Sequence, residues 1–301
     1  MRGAATPNQS FLQQLQEAAN SAPDPRAAAG AQMQLIGRWI AVSPVEFFNE
    51  LREQSPIYNA PAFTVVTRHE DVRDVLTLND IFTTDLLRQN MLKFIGNTVV
   101  ELPPSPEYER RKSILRLAFP KEDLNRYRQI LLEESSALLS NVKEGTPFDI
   151  VDYAKKLPAA AMARYLGLGA LPVDQVVQWM HDINEGAVRN LGNSPALNEP
   201  AAAASAAVKP RIREILRQTR TQLSGVPASA QFNWITWFLD LLGVPDAPPK
   251  IADQTADQIA EATVLERYLR MQSSEETYTA DEDIVSSLLF MMSACVDLTA
   301  T

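Results

Sequence analysis

Three consecutive bases, Arg110, Arg111 and Lys112, lie near the start of a predicted helix within residues 101–120, ELPPSPEYERRKSILRLAFP. The partial positive charge at a helix N-terminus disfavours cations there. Bases in this place therefore need an anionic partner, which is either an external ligand or the neighbouring acids of EYERRK. The residues alone leave both interpretations open.

A second candidate for chemistry is Asp297, in the apolar run IVSSLLFMMSACVDLTAT at residues 284–301. We expect this run to be a helix that is buried on nearly all sides. Burial raises the pKa of an unpaired carboxyl group, and a raised pKa suits a proton relay. The alternative is an aspartate that caps the helix or forms a salt bridge in the core.

The cysteine and histidine content limits the possible metal chemistry. Cys295 is the one cysteine, which excludes an intrachain disulfide and a cysteine-based zinc site. In an apolar helix its thiol is expected to stay protonated and to act as a packing group. The two histidines, His69 and His181, lack a metal-ligand spacing and are interpreted as structural residues.

Composition excludes several classes of partner. The chain has 301 residues, 46% hydrophobic content and a net charge of −9, so it can bury a core, and its scattered bases disfavour nucleic acid as a partner. No apolar window reaches the length of a membrane span, and the N-terminus lacks the apolar region of a signal peptide. We expect a cytoplasmic protein.

The elements that must position these residues are mostly helices. Residues 1–42 are expected to form a loosely ordered arm around one short helix. From Ser43 a helix is followed by IYNAPAFTVVTR, whose alternating pattern predicts a short β-hairpin. The remaining segments have the periodicity of helices, so the fold class is mainly α with a small hairpin, or α+β.

Three local features of this helical part are predicted from short sequence signals. Pro158 is expected to break or kink the helix that contains it. Thr279 and Glu282 have the spacing of a capping box at the start of the apolar helix. The proline-rich segment 224–262 is interpreted as an insert or lid.

Three stretches resemble the cytochromes P450, the haem-thiolate monooxygenases, and occur in that family's order. FTVVTRHEDVRDVLTLNDIFTTD is similar to the first hairpin strand and the helix after it. PPSPEYERRKSILRLAF is similar to the third helix, and VLERYLRMQSSEETYTADEDIVSSLLFMMSACVDLTAT to the central helix. The resemblance implies one P450-like domain over residues 43–301, patchy between 190 and 260.

The resemblance implies haem as the cofactor and assigns roles to the bases of the third helix. In the family this helix turns an aromatic donor and an arginine toward the haem propionates. The matching positions here are Tyr108 and Lys112, both departures from the usual His or Trp and Arg, and Arg111 is a partial substitute. External carboxylates are thus one answer to the bases at a helix start.

In the central helix the family has a small residue against which dioxygen lies and an acid followed directly by threonine that relays protons. The resemblance places Ala294, Asp297 and Thr299 in these roles. Leu298 stands where the hydroxyl is expected, which favours a peroxide-using or rearranging chemistry. Cys295 lies on the oxygen-facing helix and not at the position of the family's thiolate ligand.

The family's Glu-x-x-Arg helix and cysteine-ligand loop have no match, so the sequence is interpreted as an incomplete P450 domain, a truncated N-terminal part that is inactive alone. The intact enzyme is expected to oxidise an apolar small-molecule substrate with electrons from a ferredoxin or reductase. Substrate-lining candidates, with core packing as the alternative, are Phe82, Phe94, Phe232, Trp234, Trp237 and Phe238. Two further hypotheses are a haem-free ligand-binding or interaction module and an enzyme completed by a second chain.

Overall fold

A computed structural model describes residues 9–61, 63–140, 142–190, 193–224, 261–272 and 274–298. The chain divides into two compact units, Met1–Phe82 and Thr83–Thr301. The predicted fold class is confirmed, because the described elements are helices apart from one two-stranded sheet. In these ranges no helix has the length and apolar character needed to cross a membrane.

The first unit is built from short helices and one hairpin. Its described elements are α1 (Phe11–Asn20), α2 (Pro25–Val42), α3 (Pro44–Gln54), β1 (Ile57–Asn59), β2 (Thr64–Val66) and α4 (His69–Thr77). The strands pair antiparallel, with Ile57 opposite Val66 and Asn59 opposite Thr64. This is the hairpin that the alternating pattern predicts.

Residues 9–42 are more ordered than the sequence pattern predicts. The Asp24 carboxylate accepts a hydrogen bond from the Ala27 amide at 2.8 Å, and Pro25 occupies the first position of α2, so a second helix begins there. The buried core of this unit joins α1, α2 and α3 and consists of Leu15, Ile36, Trp39, Phe47 and Leu51. Alanines occur on both the buried and the exposed sides of α2, so its sequence shows no clear helical periodicity of large apolar residues. A domain boundary at residue 42 stays a prediction.

The second unit contains the longer helices. They are α5 (Asp85–Phe94), α6 (Pro106–Ala118), α7 (Leu124–Leu139), α8 (Ile150–Leu166), α9 (Val173–Asn184), α10 (Pro195–Ser224), α11 (Val264–Met271) and α12 (Asp281–Leu298). A 3₁₀ turn, Lys121–Asp123, leads into α7, and a π-helical turn, Glu185–Arg189, follows α9. Helix α12 packs against α8 and α9, so the apolar helix lies in the core as expected.

Two local predictions differ from the structure. Helix α8 is not broken at Pro158, which is buried with its alanine neighbours, because packing on α7, α9 and α12 holds the helix together on both sides of the proline. A kink at this position stays a prediction. The predicted capping box does not form. Helix α12 begins at Asp281, the Ala280 carbonyl accepts from the Ile284 amide, and the Thr279 hydroxyl donates to the Thr277 carbonyl.

The aromatic residues predicted to line a substrate site differ in their burial. Phe94 is fully buried in the core of the second unit, as the core-packing alternative predicts. Phe82, in the first unit, is 44% exposed. Phe232, Trp234, Trp237 and Phe238, together with most of segment 224–262, lie outside the described residues.

Candidate functional site

Helix α6 begins where its capping residues dictate. The Ser105 hydroxyl accepts a hydrogen bond from the Tyr108 amide at 3.1 Å, and Pro106 occupies the first helical position. Glu107 and Glu109 lie in the first turn, where negative charge interacts favourably with the helix dipole. The bases follow these acids directly.

Two of the three bases share the single carboxylate of Glu107. Arg110 donates to its carboxylate through Nε at 2.9 Å and Nη2 at 3.0 Å, and Arg111 donates through Nε at 2.5 Å. These hydrogen bonds lower the pKa of the Glu107 carboxyl to about 2. The interpretation of internal pairing within EYERRK is therefore confirmed for Arg110 and Arg111.

Arg111 also connects α6 to the first turn of α12. Its Nη2 lies 3.0 Å from the Asp283 carboxylate, and the side chains of Arg111 and Asp283 are only 17% and 21% exposed. With its amide oxygen oriented toward the guanidinium, Asn97 accepts two further hydrogen bonds from Arg111. The predicted propionate substitute is thus engaged by two carboxylates of the chain, and this role for it stays a prediction.

The Lys112 ammonium group has weaker contacts within the chain than the guanidinium groups of Arg110 and Arg111. Its Nζ lies 4.8 Å from the centroid of the Tyr108 ring, four residues earlier on the same face of α6. The closest ion pair, with Glu109, is 3.8 Å long and therefore longer than a hydrogen bond. Among the described residues, the Lys112 ammonium makes no hydrogen bond, so its donors are available to an external carboxylate. The roles of Tyr108 and Lys112 toward a haem carboxylate, like that of Arg111, stay predictions.

The acidic start of α12 is a feature that the sequence pattern did not reveal as a site. Three consecutive acids pair with three arginines from other helices, at 2.5 Å for Asp281 and Arg220, 2.6 Å for Glu282 and Arg213, and 3.0 Å for Asp283 and Arg111. The run Asp-Glu-Asp before an apolar stretch is a signal for a helix start. It does not indicate which arginines it meets.

The two groups of predicted site residues are at different places along α12. Arg111 meets Asp283 at its beginning, whereas Asp297 is fourteen residues later, which corresponds to about 21 Å along a helix. Ala294 is half-buried. Asp297 lies in the last turn of α12, its side chain and Thr299 fall outside the described residues, and their catalytic roles stay predictions.

Cys295 is half-buried, and burial raises the pKa of its thiol. The side chain packs against the apolar core of the second unit. A raised pKa keeps the thiol protonated at neutral pH, in agreement with a packing role.

A small cavity lies between α6 and α12. It is lined by Thr98, Val99, Arg111, Ile114, Leu115, Tyr268, Thr279, Asp283, Ser287 and Phe290. Its volume of about 30 Å³ is enough for roughly one water molecule and far below the volume of an organic-ligand pocket. Burial raises the pKa of Tyr268, one of the lining residues, to about 12.

Comparison with curated proteins gives two informative relatives. Pulcherriminic acid synthase of Bacillus subtilis is 24% identical over 140 residues, which are 46% of this chain and 35% of that protein. Steroid C26-monooxygenase of Rhodococcus jostii is 26% identical over 165 residues, covering 46% of this chain and 34% of its own. The matched region thus spans about a third of the length of these relatives. No protein-family model matches the chain.

Among solved structures, the crystal structure of CalO2 has the same fold. The TM-score is 0.59 at 16% identity, over 85% of this chain and 56% of CalO2. Both curated relatives are cytochromes P450, and CalO2 has the P450 fold. The chain is therefore related to the cytochromes P450, the family that its sequence motifs resemble.

Proposed function

We propose that this chain forms part of a haem-dependent oxidoreductase of cytochrome P450 type that incorporates oxygen into an apolar organic substrate. The observation that supports the proposal most directly is the Tyr108–Lys112 pair. It presents an uncommitted ammonium group and a phenol on one face of α6, at the positions where the resemblance places contacts with haem carboxylates.

The residues of this chain would hold the cofactor by charge and position. Lys112 contributes a point charge with three donors, and Tyr108 contributes a phenolic donor beside it. Arg111 acts indirectly, because its pairs with Glu107 and Asp283 fix α6 against α12. Haem, when bound, supplies the iron at which oxygen is activated.

The end of α12 would form the oxygen-facing side of the site. Ala294 leaves room beside the helix, and Asp297 and Thr299 are proposed to hold and deliver protons. Leu298 separates the acid from the hydroxyl, which favours hydrogen peroxide as the oxidant over dioxygen that is reduced with electrons from NADPH. Equal or better coupled turnover of the intact enzyme with NADPH than with hydrogen peroxide would contradict this preference.

Substrate and partner follow from the same proposal. The Rhodococcus relative is named for a steroid, and an apolar substrate agrees with that name. With dioxygen as the oxidant, a ferredoxin or a reductase would supply the two electrons that its activation requires. These assignments extend the relatives' names to this chain and belong to the proposal.

A second candidate function is a haem-free ligand-binding or interaction module. It is favoured by the engagement of Arg111 with two carboxylates of the chain and by the small volume, about 30 Å³, of the cavity between α6 and α12. Such a module would keep the fold without the cofactor.

Titration of the expressed chain with haemin, followed by the spectrum of the reduced carbon monoxide complex, tests the two candidates. The first predicts saturable binding that weakens severalfold in Lys112→Gln and is unchanged in Lys121→Gln, a control at an exposed lysine just beyond α6. Saturable binding that is unaffected by Lys112→Gln would contradict the assignment of the pair. No saturable binding would favour the module.

A further inference from the structure

A second, larger cleft lies between the end of α5 and the middle of α10, away from the cavity described above. It has a volume of about 290 Å³, close to the lower end of the range for small-molecule pockets. It is lined by Lys93, Phe94, Ala202, Ser205, Ala206, Lys209, Pro210 and Arg213.

The cleft is cationic in a chain that is strongly acidic overall. Three of the lining residues are bases, and no acid is among the described residues that line it, although the chain has a net charge of −9. The small side chains of Ala202 and Ala206 leave the space between the bases open. Arg213 is already paired with Glu282, whereas the like charges of Lys93 and Lys209 disfavour each other unless an anion enters the cleft.

Lys209 is the central residue of this arrangement. Burial and the neighbouring Arg213 lower the pKa of its ammonium group, while Glu282 acts in the opposite direction. No carboxylate in the described part of the chain forms an ion pair with Lys209. Its charge is therefore partly desolvated and without a direct counter-ion.

The other two bases are held in place without closing the cleft. Lys93 Nζ lies 4.8 Å from the centroid of the Phe94 ring. Arg213 donates to the Glu282 carboxylate through Nε and Nη2, at 2.6 and 2.8 Å, which fixes the guanidinium. The Ser205 hydroxyl donates to the Phe94 carbonyl at 2.7 Å, and this hydrogen bond joins α10 to α5 at the cleft.

We infer that this cleft is a binding site for a small doubly charged oxyanion, of which a phosphate monoester is the best-fitting class. Two ammonium groups supply point charges suited to phosphate, and the cleft volume leaves room for a small organic group attached to it. The site shares no residue with the α6 and α12 residues of the proposed haem site, so the two proposals stand or fall independently.

Isothermal titration of the chain with inorganic phosphate, phenyl phosphate and succinate, in chloride at matched ionic strength, tests the inference. We expect saturable binding, with phenyl phosphate at least as tight as inorganic phosphate. The double variant Lys93→Gln/Lys209→Gln should weaken binding about tenfold or more, because two charge-assisted contacts are lost. The charge-matched control Lys143→Gln/Lys155→Gln, at two exposed lysines outside the cleft, should leave it unchanged.

A further variant distinguishes loss of binding from loss of folding. Ala206 is exposed, so Ala206→Glu should fold and should abolish binding by placing a carboxylate among the bases. Succinate binding tighter than both phosphates would reassign the site to dicarboxylates. Equal loss of affinity in the cleft and control variants, or no saturable binding of any of the three anions, would overturn the inference.

Discussion

Arg267 and Asp123 form a two-point ion pair in the interior of the second unit. The guanidinium donates to the two carboxylate oxygens at 2.5 and 3.0 Å, and both residues are 8% exposed. Arg267 also donates to the Ala118 carbonyl, and the Tyr165 hydroxyl donates to Asp123. The pair thus joins the end of α6, the start of α7, α8 and α11 at one point.

Removal of one partner of this pair should destabilise the fold strongly. Arg267→Met removes the two-point partner of the buried Asp123 carboxylate and leaves, among the described residues, only the more distant Arg126 as a counter-ion, at 3.7 Å. We expect the free energy of unfolding to fall by roughly 3 kcal/mol. The double variant Asp123→Leu/Arg267→Met should recover part of that loss. Urea unfolding of the three proteins measures both effects.

The exposed pair of Arg217 with Glu214 provides the matched control. Its side chains are 55% and 48% exposed, so Arg217→Met should leave unfolding nearly unchanged. If Arg217→Met and Arg267→Met had the same effect, burial would not be the reason for the importance of the Arg267–Asp123 pair.

Glu107 should make stability depend on pH in the acidic range. Hydrogen bonds from Arg110 and Arg111 lower the pKa of its carboxyl from 4.5 to about 2 in the folded chain. The unfolded state therefore binds the proton more readily, and the stabilisation present above pH 4.5 is lost as pH falls toward 2.

The comparison of the native chain with Glu107→Gln tests this linkage. The variant should be less stable near pH 7, and the difference in melting temperature should shrink steadily between about pH 5 and pH 2. Because Glu107 is 42% exposed, solvent limits the size of the effect. A difference that is constant across this range would argue against a lowered pKa.

Gly186 is required by close packing between the π-helical turn and α10. A Cβ atom at this position would lie 2.3 Å from the Ala201 Cβ and 3.2 Å from Phe94. Ala201 and Phe94 are fully buried, so neither side chain can move away from an added Cβ atom without disturbing the core. We expect Gly186→Ala to lower the free energy of unfolding by about 1–3 kcal/mol.

Two companion variants sharpen this prediction. Ala201→Gly should relieve the clash and rescue Gly186→Ala in part, which a double-mutant cycle detects. Gly30→Ala, in α2 with no atom within 4 Å of the added Cβ, should instead stabilise the helix by about 0.5–1 kcal/mol. A destabilising effect of the same size at both glycines would exclude packing as the cause.

The affinity for haem should follow the chemistry of residue 112. Arginine presents a planar fork that binds a carboxylate at two points, whereas lysine presents a point charge. If Lys112 faces a haem carboxylate, Lys112→Arg should tighten haemin binding and Lys112→Gln should weaken it. Haemin titrations monitored by absorbance measure this order. A weaker complex in Lys112→Arg would contradict the proposal that Lys112 faces a haem carboxylate.

Local signals predicted the parts of the fold in which neighbours along the chain interact. The hairpin at Ile57–Val66 follows from alternation and a turn, and α6 follows from Ser105 and Pro106. The same reasoning failed where packing outweighed a local preference. Pro158 did not end α8, and Thr279 bonded to the Thr277 carbonyl instead of capping α12.

The sequence by itself determined the fold class, the relationship to the cytochromes P450 and the presence of bases and acids at the ends of particular helices. Only the tertiary structure decided which of these charges meet. Arg111 lies 172 positions from Asp283, and Arg267 lies 144 positions from Asp123. Such pairs form because packed helices bring distant turns together, and no spacing along the chain encodes that approach. For this reason Arg111, a predicted ligand-binding residue, is engaged by the chain itself, while Lys112 beside it keeps its donors.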